Sequence, residues 1–167
     1  ARAEREQHYV FYHEMDHEKL QQNHQLEERF DEALAAGDFE VWYQPKYSVA
    51  SGEIVGSEAL VRWREKDGSL ISPGRFIPLF EQNGMIARLD EYMFRAVCRQ
   101  QAQWLAQGRR IYPVSINLSR ASLYYADVVD KYQAIIQESG ISPAYIQLEI
   151  TESAIEGRTG IRELLEK

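Results

Sequence analysis

The chain has 167 residues, of which 44% are hydrophobic and 27% are charged; these values are typical of one soluble globular domain and argue against a disordered segment. The formal net charge of −7 argues against a nucleic-acid duplex as a partner, because no basic surface is available to neutralise the phosphates. The single cysteine excludes an intramolecular disulfide and favours a reducing, cytoplasmic location, although a membrane anchor in a longer parent protein stays open.

Residues 1–36 differ from the rest of the chain because Glu, Gln, His, Asp and Lys dominate them after a short aromatic cluster. Within this stretch Leu26, Phe30 and Leu34 recur at helical spacing, and Gly37 follows. The pattern predicts a mostly solvated helix that docks only at its C-terminal end and stops at the glycine. We expect the end of a preceding domain and a connector helix here; the alternative is a helix packed on the domain that follows.

Strand and helix patterns alternate through residues 37–167. The first two strand patterns can form a hairpin, whereas the later strand–helix units require parallel crossover connections. This alternation predicts an α/β protein, in which Cys98 is a small core residue on a helix rather than a nucleophile. The predicted strands are 40–47, 54–63, 114–119 and 145–152. The predicted helices are 73 to about Gly84, about 89 to a stop at Gly108, about 123 to a stop at Gly140, and a last one from about residue 159.

Polar side chains interrupt one face of three predicted strands. The period of two places Glu58, Asn117 and Glu149 on the faces opposite the apolar residues that suit helix packing. In a barrel that polar face is the interior, where two carboxylates and an amide require compensation. A hard divalent cation would provide it, since it prefers oxygen ligands, and barrel enzymes place their chemistry at the C-terminal ends of strands. The alternative is a set of half-exposed strands whose polar faces lie in water.

Five local motifs then occur in order between about Phe39 and Glu156, and together they resemble the EAL family of cyclic-di-GMP phosphodiesterases. Five ordered motifs carry far more weight than an isolated Glu-Ala-Leu triplet, and on them the chain is identified as a member of that family. The motifs are Tyr43-Gln44-Pro45-Lys46, Glu58-Ala59-Leu60-Val61-Arg62-Trp63, the segment from Pro73 through Phe76-Ile77-Pro78-Leu79 to Leu89-Asp90, Asn117-Leu118-Ser119, and Glu149-Ile150-Thr151-Glu152.

The resemblance implies a (β/α)8 TIM-like barrel that opens cyclic-di-GMP to linear pGpG with Mg²⁺ or Mn²⁺. In this family pattern Glu58, Asn117 and Glu149 match the metal ligands, and Glu58 is also counted among the catalytic residues. The implied chemistry is that of a two-metal site, in which water activated by metal attacks the phosphorus in line.

The same resemblance assigns three further residues. Arg62 matches a residue that holds a substrate phosphate with its planar guanidinium, although a salt bridge to Glu58 is an alternative. Gln44 matches a residue that lines the substrate pocket near the reacting phosphate. Glu152 matches a catalytic-site glutamate that orders a neighbouring loop; its alternative role is to cap a helix.

The later family motifs, including an Asp-Asp-Phe-Gly segment, have no match in Ser153–Lys167. A full barrel takes about 250 residues, so we expect residues 37–167 to be the N-terminal half of an EAL domain, with the second-metal ligands beyond the chain end. We therefore expect this chain to be inactive alone and its parent to be active. The first 36 residues resemble, more weakly, the junction after a diguanylate-cyclase (GGDEF) domain, which implies such a domain in the same parent; a homodimer stays open.

Two other functions compete with the phosphodiesterase. A catalytically degenerate EAL receptor would bind cyclic-di-GMP and relay a signal through the connector helix, and a structural interaction module would do neither. All motif residues that fall within the chain are present, which favours the enzyme.

Overall fold

The computed structural model describes residues 2–125 and 127–150, with side chains from His17 onward. Contacts along the chain separate two compact units, Ala1–Asp38 and Phe39–Lys167. The first unit is helix α1, Arg2–Ala36, which ends as expected at Gly37. The φ angle of 80° at Gly37 is left-handed, a conformation that glycine adopts without steric cost. No helix in the described part of the chain is both long enough and apolar enough to cross a lipid bilayer.

The second unit is built on a mixed sheet in the order β1-β2-β4-β5, with β3 paired on β2. Strands β1 and β2 form an antiparallel hairpin, whereas β2, β4 and β5 run parallel to one another. The predicted hairpin and the predicted parallel crossovers are therefore both confirmed. The five strands are β1 Phe39–Tyr47, β2 Ile54–Arg64, β3 Leu70–Ile71, β4 Val114–Leu118 and β5 Ile146–Ile150.

The helices of this unit connect the parallel strands. Helix α2 begins with Pro73, which lacks the N–H that the first helical turn leaves unpaired, and it ends before the left-handed Gly84. Helix α3 precedes β4, and α4 ends before Gly140, whose φ is 71°. The bounds are α2 Pro73–Asn83, α3 Ile86–Ala106 and α4 Val128–Ser139.

Two predicted elements, α4 and β5, begin later than expected. Leu123 lies in a 3-10 turn, Ser122–Tyr124, that precedes α4, because the backbone at Tyr125 is extended and breaks the helical path. Tyr145 ends another 3-10 turn, which begins at Pro143, and β5 starts only after it. The strand β3 was not predicted, since two residues are too few to show a period. The predicted strand residues 151–152 and the predicted last helix lie outside the described residues.

The main core lies between the helices and the apolar face of β2, β4 and β5. The rings of Phe94 and Tyr132 stack there at a centroid distance of 4.4 Å and join α3 to α4. Cys98 is 1% exposed in the same cluster, and burial raises the pKa of its thiol to about 11. The prediction that Cys98 is a core residue is thus confirmed. The cluster comprises Ala59, Phe94, Val97, Cys98, Val114, Ile116, Leu118, Leu123, Val128, Tyr132, Ile135 and Ile141.

A second, aromatic cluster fixes the end of β2 against α2. Trp63 is fully buried, and its ring lies 4.7 Å from that of Phe39 and 5.6 Å from that of Phe76. Phe80 extends the cluster along α2, with its ring 5.7 Å from Phe76. Because Trp63 follows Arg62 directly, this packing also fixes the position of this end of β2, including Arg62 on the opposite face.

Candidate active site on the polar face of the sheet

The structure places the three predicted metal ligands on adjacent parallel strands. Asn117 of β4 is the register partner of Glu149 of β5, and Glu58 of β2 is the register partner of Ser115, two residues before Asn117. The amide Nδ2 of Asn117 donates a hydrogen bond of 2.8 Å to Oε1 of Glu58. Since residues two apart on a strand share a face, Glu58, Asn117 and Glu149 project from the same side of the sheet.

A lysine from the antiparallel strand reaches into this group. Nζ of Lys46 lies 2.5 Å from Oε1 of Glu149 and donates a second hydrogen bond of 2.8 Å to Oγ of Ser115. Ser115 donates in turn to Oε1 of Gln147 at 3.1 Å. The hydrogen bond from Lys46 is the main cause that lowers the pKa of the Glu149 carboxyl below its ordinary value, and the nearby Ser115 hydroxyl acts in the same direction. The carboxylate of Glu149 is therefore held ionised by a neighbouring cation of the chain itself.

The two predicted substrate-binding residues, Gln44 and Arg62, lie on different strands, β1 and β2. Gln44 lies on β1 directly opposite Glu58 in the antiparallel register, so it belongs to the same polar face. Arg62 lies four residues beyond Glu58 on β2; its guanidinium donates to the carbonyl oxygen of Val61 at 2.8 Å and stacks over the ring of Trp42 at 5.6 Å. Stacking holds the guanidinium by its face and leaves part of its planar edge available for an anion.

An open cleft extends from Arg62 and Asn117 toward the turn between α2 and α3. Asp90 of α3 lies in its wall, is 8% exposed, and accepts hydrogen bonds from the backbone N–H of Ser119 at 2.9 Å and from Oγ of Ser122 at 2.7 Å. Burial raises the pKa of the Asp90 carboxyl, while these hydrogen bonds act in the opposite direction. Asp90 thereby fixes the loop that follows β4. The contact at Ser119 lies two residues after Asn117.

The side chains of this face suit a hard divalent cation. Within the ranges that the structure describes, no three His, Cys, Asp or Glu residues converge, so the donor set is two carboxylates and one amide rather than a cysteine–histidine site. Asn117 donates through Nδ2 to Glu58, which leaves its Oδ1 as the atom suited to ligate a cation. Glu149 of this face already pairs with a positive charge, the ammonium of Lys46. Glu152, the remaining predicted site residue, lies outside the described residues.

Two residues with clear contacts at the site received no role in the prediction. Lys46 shares the period-two face of Gln44, and this alternation was the signal that could have placed it. Its contact with Glu149, 103 residues away in sequence, depends on the strand order and could not be predicted from local pattern. Asp90 was part of a motif, and an acidic residue among the apolar positions of α3 was its only distinguishing signal.

Comparison with known proteins identifies the family of the chain. The EAL domain model matches residues 27–166. The cyclic di-GMP phosphodiesterase NbdA of Pseudomonas aeruginosa is 37% identical over 131 residues, which are 78% of this chain and 17% of NbdA. The bifunctional diguanylate cyclase/cyclic di-GMP phosphodiesterase MucR of the same species is 32% identical over 145 residues, 87% of this chain and 21% of MucR. The chain therefore belongs to the EAL domain family, and it spans about a fifth of the length of these two relatives.

A solved structure confirms the fold. The complex of the PaMucR phosphodiesterase with c-di-GMP is 33% identical and superposes with a TM-score of 0.75 over 84% of this chain and 57% of that chain. The expected α/β architecture of the EAL type is thus confirmed, and the mixed sheet is consistent with part of a TIM-like barrel.

Proposed function

We propose that the chain is part of an EAL domain that hydrolyses cyclic-di-GMP to linear pGpG with the help of Mg²⁺ or Mn²⁺. The observation that carries the proposal is the placement of Glu58, Asn117 and Glu149 on three adjacent parallel strands of a chain that belongs to this family. The names of NbdA and of MucR, both cyclic di-GMP phosphodiesterases, support the same substrate.

In this proposal, Glu58, Asn117 and Glu149 would hold the cation, since their side chains offer two carboxylates and one amide oxygen. A bound divalent cation lowers the pKa of a water ligand and stabilises negative charge on phosphate oxygens. Asn117 contributes a second effect, because its Nδ2 orients the Glu58 carboxylate before any ligand arrives. The ligands of a second metal would come from outside the described residues.

The substrate is bound by residues at both ends of the same face. Arg62 offers a charge-assisted hydrogen bond to a phosphate, and its stacking on Trp42 limits the orientations that the guanidinium can adopt. Gln44, opposite Glu58 in the antiparallel register, would offer amide donors on the same face. Glu152 is proposed to order a neighbouring loop of the active site.

The wider setting is proposed by analogy. MucR combines a diguanylate cyclase with a phosphodiesterase in one protein, which supports a GGDEF domain in the same parent chain. The proposed location of the catalytic domain is the cytoplasm, where a bacterial second messenger would meet it, and a homodimer of the parent is compatible with the proposal.

The test is hydrolysis of cyclic-di-GMP by a polypeptide that contains this chain and the complete EAL domain. We expect pGpG as the product with Mg²⁺ or Mn²⁺ and no product after chelation. Binding of cyclic-di-GMP without turnover would identify a receptor instead of an enzyme. Neither binding nor turnover would indicate a structural interaction module.

A further inference from the structure

Lys46 brings a positive charge to the polar face. Its ammonium contacts Glu149, one of the three candidate metal ligands. Its ammonium is 2.5 Å from Oε1 of Glu149 and 2.8 Å from Oγ of Ser115. The side chains of Lys46 and Glu149 are 40% and 42% exposed, so bulk water screens part, but not all, of their attraction.

The carboxylates of this face attract a cation. Glu58 and Glu149 bring two negative charges to one side of three adjacent strands, and the hydrogen bond from Asn117 to Glu58 adds no positive charge. Without a metal, the ammonium of Lys46 is the group seen to balance Glu149. Because both side chains are partly exposed, loss of one partner costs only a modest part of the stability, since water still solvates the remaining charge.

We propose that Lys46 is a positioning residue that serves as the counter-ion of the metal-free site, holding Glu149 in place and competing with the divalent cation for this carboxylate. The proposal rests on the proposed metal site at Glu58, Asn117 and Glu149. Because a cation close to a metal ligand repels the incoming ion, Lys46 weakens metal binding while it stabilises the metal-free fold.

This role differs from two simpler ones in the sign of its effects. If Lys46 only packs its aliphatic stem, its removal lowers the melting temperature equally with and without metal and leaves the metal affinity unchanged. If it only orients Glu149 as a ligand, its removal weakens metal binding, by about 10- to 100-fold for orienting partners of this kind. A competing counter-ion predicts the opposite change in affinity.

The experiment uses the polypeptide with the complete EAL domain, purified free of metal, as wild type, Lys46→Met and Lys46→Gln. The affinity for Mn²⁺ is measured by the paramagnetic resonance signal of the free ion, and the melting temperature is measured with and without Mn²⁺. We expect both variants to bind Mn²⁺ more tightly, by about 10-fold for the removal of one adjacent charge. We also expect their melting temperatures to fall without metal and to approach that of wild type with saturating Mn²⁺.

Two controls make the result specific. The first control, Lys131→Met, removes a lysine from an ion pair of the same length that lies between α4 and α3. Nζ of Lys131 is 2.5 Å from Oε2 of Glu91. This variant should bind Mn²⁺ with unchanged affinity. The second control, Glu58→Gln, tests the metal site itself. If wild type binds Mn²⁺ and Glu58→Gln does not, the proposed metal site is supported. The Lys46 variants then test only the proposed counter-ion role. Lys46→Gln keeps a hydrogen-bond donor, so it still reports on charge if Lys46→Met fails to fold.

Unchanged or weaker Mn²⁺ binding by the Lys46 variants, with the metal site intact, would overturn the counter-ion role. Absence of Mn²⁺ binding in wild type would overturn the metal site and the proposed function together.

Discussion

The two carboxylates of the polar face, Glu58 and Glu149, have different hydrogen-bond partners. Substitution of each residue should therefore have a different effect on its neighbours. Glu58 accepts a neutral amide N–H from Asn117, whereas Glu149 faces the ammonium of Lys46. Removal of Glu58 would therefore take away a proposed metal ligand and leave little else unpaired, since the Asn117 amide can turn to water. Removal of Glu149 also leaves the lysine without its anion.

We expect Glu58→Ala, made in the complete EAL domain, to abolish hydrolysis of cyclic-di-GMP while the protein stays folded. The reason is that the proposed metal site would lose one of its two carboxylates, and the affinity for a divalent cation depends on the number of charged ligands. Turnover is measured as pGpG formed, and folding is checked by circular dichroism. Glu138→Ala, at an exposed glutamate of α4, is the matched control. Unchanged turnover in Glu58→Ala would remove this residue from the catalytic site.

An ion pair on the hairpin should shape the acid sensitivity of the fold. Nε and NH2 of Arg64 contact the two carboxylate oxygens of Glu40 at 2.5 Å and 2.8 Å, and this pair, aided by the indole N–H of Trp42, lowers the pKa of Glu40 to about 2. A depressed folded-state pKa stabilises the fold above the unfolded pKa of Glu, about 4.3, and the contribution is lost as the pH falls through the folded value. The contribution is small, because the pair is solvated.

We therefore expect Glu40→Gln to be less stable than wild type at pH 7, and the difference to shrink between about pH 4.5 and pH 2. Urea unfolding at several pH values measures it. A difference that stays constant down to pH 2 would show that packing of the side chain, rather than its charge, is responsible. Added salt should reduce the difference at pH 7.

At the scale of elements, the junction between β2 and β4 depends on the absence of one side chain. A Cβ at Gly56 would lie 2.9 Å from the carbonyl oxygen of Pro113, a backbone atom that accepts the N–H of Ser57 at 3.0 Å. The parallel pairing of the two strands begins at this point, with Ser57 opposite Val114. Gly56 thus allows the approach that brings Glu58 and Asn117 within hydrogen-bond distance.

We expect Gly56→Ala to destabilise the domain by about 1–3 kcal/mol, because the new methyl group overlaps backbone that cannot move without breaking the ladder. Urea denaturation gives the free energy of unfolding. The matched substitution is Gly74→Ala in α2, where the nearest atom to an added Cβ is 3.7 Å away. It should be neutral or stabilise by up to about 1 kcal/mol, since alanine favours the helix. Equal effects of the two substitutions would contradict the steric argument.

The loop after β4 is fixed by α3 through one buried carboxylate. We expect Asp90→Ala to cost about 1–3 kcal/mol, because it leaves the N–H of Ser119 and the hydroxyl of Ser122 without their acceptor. Hydrogen exchange at the Ser119 amide, measured by NMR, should accelerate more than exchange in α4. Asp90→Asn keeps one acceptor oxygen and should lie between wild type and Asp90→Ala; equal loss in both variants would point to the charge instead.

Element prediction from the sequence succeeded where a period was long enough to be seen. The nine-residue β1 and eleven-residue β2 alternate clearly, Pro73 and Gly84 mark the two ends of α2, and Gly140 marks the end of α4. The two-residue β3 and the 3-10 turns before α4 and β5 were missed, because such short pieces carry no period. In the candidate site, strand parity placed Glu58, Asn117 and Glu149 on a polar face, but the Lys46 contact required knowledge of the strand order.

At the scale of the whole molecule, the described sheet is open. Within residues 2–125 and 127–150, β1 pairs only with β2 and β5 pairs only with β4, whereas a barrel requires every strand to have two neighbours. The chain also covers 57% of the PaMucR phosphodiesterase chain to which it is similar. Both observations bear on which polypeptide should be active.

We expect the 167-residue chain by itself to show no hydrolysis of cyclic-di-GMP, and a polypeptide with the complete EAL domain to show it, under the same Mn²⁺ concentration. The reason is that the proposed two-metal mechanism would need ligands besides the proposed ligands Glu58, Asn117 and Glu149. Product formation by the two polypeptides is compared at equal molar concentration. Equal turnover numbers would show that the described face already contains all the necessary groups.

The burial of the single cysteine has a practical consequence for spectroscopic work. The thiol of Cys98 is 1% exposed and has a pKa of about 11, so at neutral pH it is neither accessible nor ionised enough to react with a maleimide. A cysteine introduced at the fully exposed Val49, in the β1–β2 turn, would therefore take up a fluorophore or spin label selectively. Distances from that label to a paramagnetic ion could then be measured without altering the native core.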